Sequence, residues 1–566
     1  MKRNKIFSMV SAALVVAGMG MSSCADKLDL APIDWYGSGN FWTTEAQAIG
    51  NMSALMTNLR SDNFKNTITF GELRGGAYSL ETTCSDGSTL NGSTLTHQNL
   101  SQTNHADVGN FGGYYDRLKH VNLAISKITE ATYFSKESTK EYCLGMAYGI
   151  RAYYYFILYR NFGGVPLRLV PDVENGNYDV STMYKERAKA SEVLTQIKSD
   201  IAESLKHFGD QTTFNFNNAS KNAKYYWSKA ATEMLAGEVY LWSAKVAVGD
   251  QAAIPADLTT AKTYFTNVID NYGLALQGDF ANVFSASNER NSEIILAYPY
   301  SETEGTNGLP VNYGYGIVTG NTIGSGFDID GNLWDNPNQI GATQTRYQYS
   351  NALWFQFDAE DTRRDATLVS SWHDADATQL RGTFTRKLLG NISNTTNYRA
   401  YDADQPVYRL ALAYLSLAEI ANMEDKGEDV EKYINKIRER AYGANWDAAT
   451  YGYKAGSFLA NEVAILHEKD KEFIQEGQRW YDVRRMTSVK GGEATDHLVF
   501  CNEGHIAYGL NLTANMLEAS GVWDKANPLH VEPLLDKAQA YKVLWPLSTA
   551  VLNDDETLEQ TPGYEM

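Results

Sequence analysis

From Glu141 to Leu167 the chain reads EYCLGMAYGIRAYYYFILYRNFGGVPL, and this stretch constrains the fold more than any other. Cys143, Ala147, Ile150, Tyr154 and Ile157 fall four and three residues apart, which places them on one apolar face of a helix. Gly163, Gly164 and Pro166 then end it. The same spacing recurs in WSKAATEMLAGEVYLWSAK, through Trp227, Ala230, Met234, Gly237 and Leu241, whose small members let another helix approach closely. It recurs again in VYRLALAYLSLAEIANM, through Val407, Leu410, Tyr414, Leu417 and Ala421. A short polar turn follows, then Tyr433, Ile434, Ile437 and Ala441. Near the start, Thr44 with Gln47 three residues on has the form of a capping box and opens a helix through about Arg60. Helices whose apolar faces cannot be buried alone must stack in pairs, as in tetratricopeptide arrays with a period of about 34 residues. The expected fold class is therefore mostly α, with tetratricopeptide-like helix pairs supporting a second, loop-rich half that contains few short strands.

Residues 280–405 form that second half. EIILAYPY has strand composition, whereas SETEGTNGLPVNYGYGIVTGNTIGSGFDIDGNLWDNPNQ is rich in Gly, Asn and Asp with aromatics between them. No regular helix fits this segment, and a loop of such length in a compact protein is usually functional or disordered, of which its aromatics favour the ordered, functional reading. A sugar ring stacks its C–H face on an aromatic plane while amides and carboxylates bond its hydroxyls. Tyr298, Tyr300, Tyr313, Tyr315 and Trp334, with Asn312, Asp335 and Asn336 beside them, supply this mixture and are the candidate ligand-binding residues. The tyrosines at 153–159 recur at core spacing and read as packing residues.

The N-terminus carries Lys2, Arg3 and Lys5 before an apolar run from Ile6 to Met21, the pattern of a secretory leader. Ser22 and Ser23 then precede Cys24, an arrangement that resembles the lipobox of bacterial lipoproteins, with Met21 where leucine is usual. The implied organisation is a signal peptide at 1–23, a lipidated tether at 24–40 and a single domain over 41–566. Acyl chains on Cys24 would hold such a protein at a membrane surface. The formal charge is −19, and it becomes three units more negative when the basic residues of the leader are removed. Such a surface argues against nucleic acid and against anionic ligands held by charge. Beyond Cys24, only Cys84, Cys143 and Cys501 remain, which give neither a disulfide framework nor a zinc site.

Side chains that suit a sugar could also serve to cleave one, which makes the carboxylates, histidines and glycine loops of the chain relevant. Glu472 and Glu476 sit four residues apart, but the neighbouring Arg479, Arg484 and Arg485 point to ion pairing. HEKDK at His467 begins like a zincin helix, yet Lys471 stands where the second histidine ligand is needed. GYGIVTG at Gly314 lacks the spacing of a phosphate loop. There is no GxSxG elbow. No cofactor is implied. DIDGN offers Asp328, Asp330 and Asn332 as oxygen ligands, where a structural calcium is the alternative to a solvated turn.

Eight segments then occur in a recognisable order: NFWTTEAQA, GIRAYYYFILYRNFGGVPL, AATEMLAGEVYL, NSEIILAY, YRLALAYLSLAEI, INKIRERAYG, KEFIQEGQRWYDVRRM and LWPLSTAVLNDDETLEQTPGYE. In this order the chain resembles the SusD/RagB outer-membrane nutrient-binding lipoproteins. The resemblance implies four tetratricopeptide-like pairs and a lipid-anchored, surface-facing, non-catalytic protein. Such a protein captures oligosaccharides and passes them to a SusC-like TonB-dependent transporter. Peptide cargo is the alternative within the binding class, and a surface glycoside hydrolase the alternative outside it. The resemblance also implies ligand contacts from the loop at about Leu80 to Asn104, which holds His97 but neither Trp nor Tyr, so starch is not implied.

Overall fold

A computed structural model describes residues 41–78, 93–105, 108–171, 183–217, 223–311, 326–341, 347–506 and 532–564. Cys24, Cys84, Asn312, Tyr313 and Tyr315 lie outside the described residues, as do residues 1–40, expected from the sequence to be leader and tether. Helix α1 (Glu45–Ser61) starts on the capping box read from the sequence: Thr44 Oγ1 accepts from Gln47 N–H, and Gln47 Oε1 accepts from Thr44 N–H at 3.1 Å. It is followed by α2 (Gly112–Glu130), α3 (Glu137–Phe162), α4 (Ala190–Phe208), α5 (Lys229–Lys245) and α6 (Asp257–Asn271). After the loop-rich half come α7 (Leu410–Met423), α8 (Gly427–Tyr442), α9 (Phe458–Glu472) and α10 (Arg479–Arg485).

The helices pair as their faces require. α3 packs on α4, α5 on α6 and α7 on α8, while α4 touches α5 and α6 touches α7, so each pair leans on the next. Glycines set the spacing. A Cβ on Gly237 of α5 would stand 2.6 Å from the Phe265 ring of α6, and one on Gly145 of α3 would stand 3.0 Å from the Phe208 ring of α4. α3 ends at Gly163, whose φ of +76° is a conformation that glycine adopts without strain. From Tyr142 to Phe162 nearly every side chain of α3 is buried, so this helix is a central member with neighbours on all sides.

The expected register of the third helix is corrected at its start. Val407 lies in a strand, and the helix begins at Leu410. Strand β1 (Ile294–Tyr298) pairs antiparallel with β4 (Gln405–Arg409), which draws Val407 and Tyr408 out of the helix. Between them β2 (Leu368–Trp372) and β3 (Leu380–Thr385) form a second antiparallel pair. A separate small core of Trp334, Ile340, Val369, Phe384 and Leu389 lies against this pair. The Asp328 carboxylate accepts the backbone N–H groups of Asp330 (2.9 Å) and Asn332 (2.8 Å) and the Asn332 amide (3.1 Å), so DIDGN closes on itself as a turn.

Glu472 and Glu476 form ion pairs, though with partners other than the adjacent arginines. Glu472 bonds Arg409 (2.6 Å), Arg363 (3.0 Å) and Arg440, and Glu476 bonds Arg409 (2.6 Å) and Lys387. Arg479 instead pairs with Asp470, and Arg485 with Glu419 (2.8 Å) and Asp482 (2.6 Å).

Candidate functional site

Each candidate residue has a definite place where it is described. Tyr298, on β1, is 2% exposed and lines a 40 Å³ interior cavity with Tyr153, Tyr408 and Tyr481. Trp334 is 1% exposed, its ring 5.1 Å from that of Phe384 in the small core. Neither ring offers a face to a ligand in this conformation. His97 is exposed beyond the short helix Ser93–Thr96, with Nδ1 3.4 Å from Thr96 Oγ1. Asn336 bonds the backbone of Ile340 at 3.2 and 2.9 Å, which makes it a turn residue.

Tyr300 differs from these. It is half-buried two residues past the end of β1, and its ring lies 5.7 Å from the Arg60 guanidinium. Arg60 is fixed by donating to Pro299 O at 2.9 Å, and buried Asn63 donates to the Tyr300 hydroxyl at 3.2 Å. Around the end of α1, within one turn of Arg60, stands half-buried Phe64. Its ring is 5.9 Å from that of half-buried Tyr347. Tyr347 meets Tyr78 edge-on at 6.3 Å, and Tyr78 stacks on Tyr349 at 4.6 Å. The two stacked tyrosines are anchored from beneath: both hydroxyls donate to buried Glu72 (2.7 and 2.6 Å), which also accepts Gly477 N–H at 3.0 Å. Burial raises the Glu72 carboxyl above its ordinary range, and these donors oppose the rise.

The result is a run of aromatic rings with an arginine and an amide at one end, partly open to solvent and rigidly backed. Sequence reasoning missed Arg60, Asn63, Phe64, Tyr78, Tyr347 and Tyr349. Arg60 and Phe64 belong to a helix end, where they read as ordinary helix residues. Tyr347 and Tyr349 stand at i and i+2 in RYQYSNALW, a signal that was available.

Beside Tyr300 lies a carboxyl pair. Asp404 accepts Tyr300 N–H at 3.1 Å, and Arg290 reaches both Glu289 (3.1 Å) and Asp404 (3.5 Å). Burial, and then the charge of Asp404, push Glu289 up to about 7. The Asp404 backbone N–H donates to Glu289 Oε1 at 3.3 Å. This pair orders the backbone behind Tyr300.

Comparison with known proteins accords with this architecture. The model of the SusD family matches residues 376–564, and a model described as starch-binding associating with outer membrane matches residues 81–232. The crystal structure of a SusD superfamily protein from Bacteroides fragilis is 42% identical, covering 93% of this chain and all of that one, with a TM-score of 0.82. NanU of B. fragilis is 30% identical over 95% of this chain and all of its own, with a TM-score of 0.73. SusD-like protein P38 of Formosa agariphila is 22% identical over 86% of this chain and 92% of its own length. The chain belongs to the SusD/RagB family, whose members are non-catalytic binding proteins associated with the outer membrane.

Proposed function

We propose that this protein captures oligosaccharides at the cell surface on the aromatic run of Tyr300, Phe64 and Tyr347 and delivers them to a SusC-like TonB-dependent transporter. The observation that carries the reading is the conjunction of half-buried rings with hydrogen-bonding groups already held in place. Arg60 and Asn63 are positioned by Pro299 and Tyr300, and Tyr78 and Tyr349 by Glu72. Preorganised donors and ring faces are what a sugar needs, since its C–H faces stack and its hydroxyls require edge partners. Tyr313, Tyr315 and Asn312, which lie outside the described residues, and His97 are further candidates for contact with the cargo.

The experiment is a calorimetric screen of oligosaccharides. For any that binds, Tyr300→Ala and Tyr347→Ala are each expected to weaken binding by about 1 kcal/mol or more. The melting temperature should stay nearly unchanged, because both rings are only half-buried. Full affinity in both variants would overturn the assignment of this surface.

Anchor and partner are tested in the native outer membrane. In mild detergent the protein should co-purify with a TonB-dependent transporter, and Cys24→Ala should release it to the soluble fraction. Recovery alone in several detergents, with cargo present, would count against delivery. Equal membrane retention of the Cys24 variant would count against the lipid anchor.

A further inference from the structure

A second opening shares no lining residue with the aromatic run, and its electrostatics are unlike those of the chain as a whole. It has a volume of about 590 Å³ and is bounded by the 281–286 turns, the short helix Arg363–Thr367, the stretch after β3 and Arg399. Arg386 and Arg399 both line it. Arg386 donates to Asn338 Oδ1 (3.3 Å) and Asp365 O (3.2 Å), and Arg399 to Asn338 O (3.0 Å) and Gly390 O (2.8 Å). All four acceptors are neutral carbonyl oxygens, and among the described residues neither guanidinium pairs with a carboxylate.

The other charges at the opening are already compensated. Asp365, the one carboxylate among the described lining residues, is paired with Arg364 at 3.0 and 3.2 Å. Lys387 turns inward to Ile474 O (2.8 Å) and Glu476. Two guanidiniums therefore line one cleft with no carboxylate paired to either among the described residues, and only the more distant charge of Asp365 favours Arg386. Burial, and then the like charge of Arg386, lower the pKa of Arg399, so an anion placed between them would relieve a standing repulsion.

Asn338 shows that the arrangement is built. It is 1% exposed, its amide donates to Thr385 O at 3.1 Å, and its two oxygens hold one arginine each. Trp334, Phe384 and Leu389 pack beneath this stretch. Half-buried Phe284 adds an aromatic wall, and Ser285 a hydroxyl. Guanidinium forks match carboxylates and sulfates with paired hydrogen bonds, and the cleft volume falls within the range of small-ligand sites.

We propose that the Arg386–Arg399 cleft binds the acidic group of a charged glycan, a carboxylate or a sulfate ester, with Asn338 positioning the two arginines. This rests on the proposed function in taking the cargo to be an oligosaccharide, and it adds a charge to that cargo. The net charge of −19 argues against anionic ligands on the surface at large, and the cleft is a local exception.

The test is calorimetry with three probes: tetragalacturonate, a sulfated galactan tetrasaccharide and neutral maltotetraose. At least one acidic probe is expected to bind tenfold or more tighter than the neutral one, with affinity that falls as salt is raised. The double variant Arg386→Gln, Arg399→Gln should lose at least tenfold toward that probe, while its affinity for neutral glycans and its melting temperature stay the same. Asn338→Asp, which sets a carboxylate against the Arg386 guanidinium, should also weaken binding of that probe without removing either arginine. The carboxylate and sulfate arms identify the acid. Equal binding of acidic and neutral probes by the wild type overturns the inference, as does an acidic affinity untouched in both variants. Neutral binding that depends on Tyr300 and Tyr347 would leave the proposed function standing in either case, whereas a protein that binds no oligosaccharide loses both.

Discussion

Replacing Glu472 with glutamine is expected to destabilise the fold by about 3 to 5 kcal/mol, because it removes one partner from a buried charge network and leaves the others uncompensated. Glu472 is 0% exposed at the end of α9. Its carboxylate accepts from Arg409 at the end of β4 (2.6 Å), Arg363 of the short helix Arg363–Thr367 (3.0 Å) and Arg440 of α8. Those arginines continue outward: Arg363 to Asp361 (2.7 Å) and Glu468 (2.6 Å), and Arg409 and Arg440 to Glu293 (each 2.9 Å). One carboxylate thus ties the helical scaffold to the loop-rich half. Glutamine keeps the shape but withdraws the charge that three guanidiniums share. Burial alone would raise the Glu472 pKa, but Arg440, Arg409 and Arg363 outweigh it and hold the carboxyl well below its ordinary value of 4.5. A carboxyl with a depressed folded pKa contributes stability that is fully present above its unfolded pKa and is lost as pH falls toward the folded one. The wild-type advantage over Glu472→Gln should therefore be complete at pH 6 to 7 and shrink as the pH drops below about 4.5. Chemical denaturation at several pH values checks both parts, and coincident midpoints for the two proteins at neutral pH would refute the first.

Local features were legible in the sequence wherever the residues that decide a structure lie close together along the chain. The Thr44 cap, the Gly163 stop and Gly237 beneath Phe265 belong to segments whose own spacing states what they do. The network around Glu472 was half legible. Ion pairing followed from a carboxylate beside arginines, but the partners come from 32, 63 and 109 residues away, and no local pattern encodes them. Val407 was assigned to a helix because its apolar period fits one, yet pairing with β1 claims it first. The aromatic run escaped for a similar reason, since Phe64, Tyr78, Tyr300 and Tyr347 come from three separate stretches and meet only in the fold.

Trp334 is the instructive case, and Trp334→Ala carries the second large expectation. A tryptophan in a segment rich in Gly, Asn and Asp has the same neighbours in sequence whether it faces a ligand or a core. Composition pointed to stacking on a sugar, and that reading expects lost affinity with an unchanged melting temperature. The structure places the ring at 1% exposure among Ile340, Val369, Phe384 and Leu389, a small core of five buried residues among those described. Removing a buried tryptophan typically costs about 3 to 5 kcal/mol, and a core this small has little else with which to close the cavity. Because this cluster is separate from the main core, the loss should appear first as local opening rather than global unfolding. Amide-exchange protection of the β2–β3 pair should fall sharply in Trp334→Ala, with the Arg386–Arg399 cleft above it loosened as well. The helix pairs from α3 to α6 should keep their protection, and Trp334→Phe, which retains a ring against Phe384, should recover most of what alanine loses. Unchanged protection of residues 368–385 together with weakened glycan binding would instead return Trp334 to the ligand site, and would mean that this core opens when cargo binds.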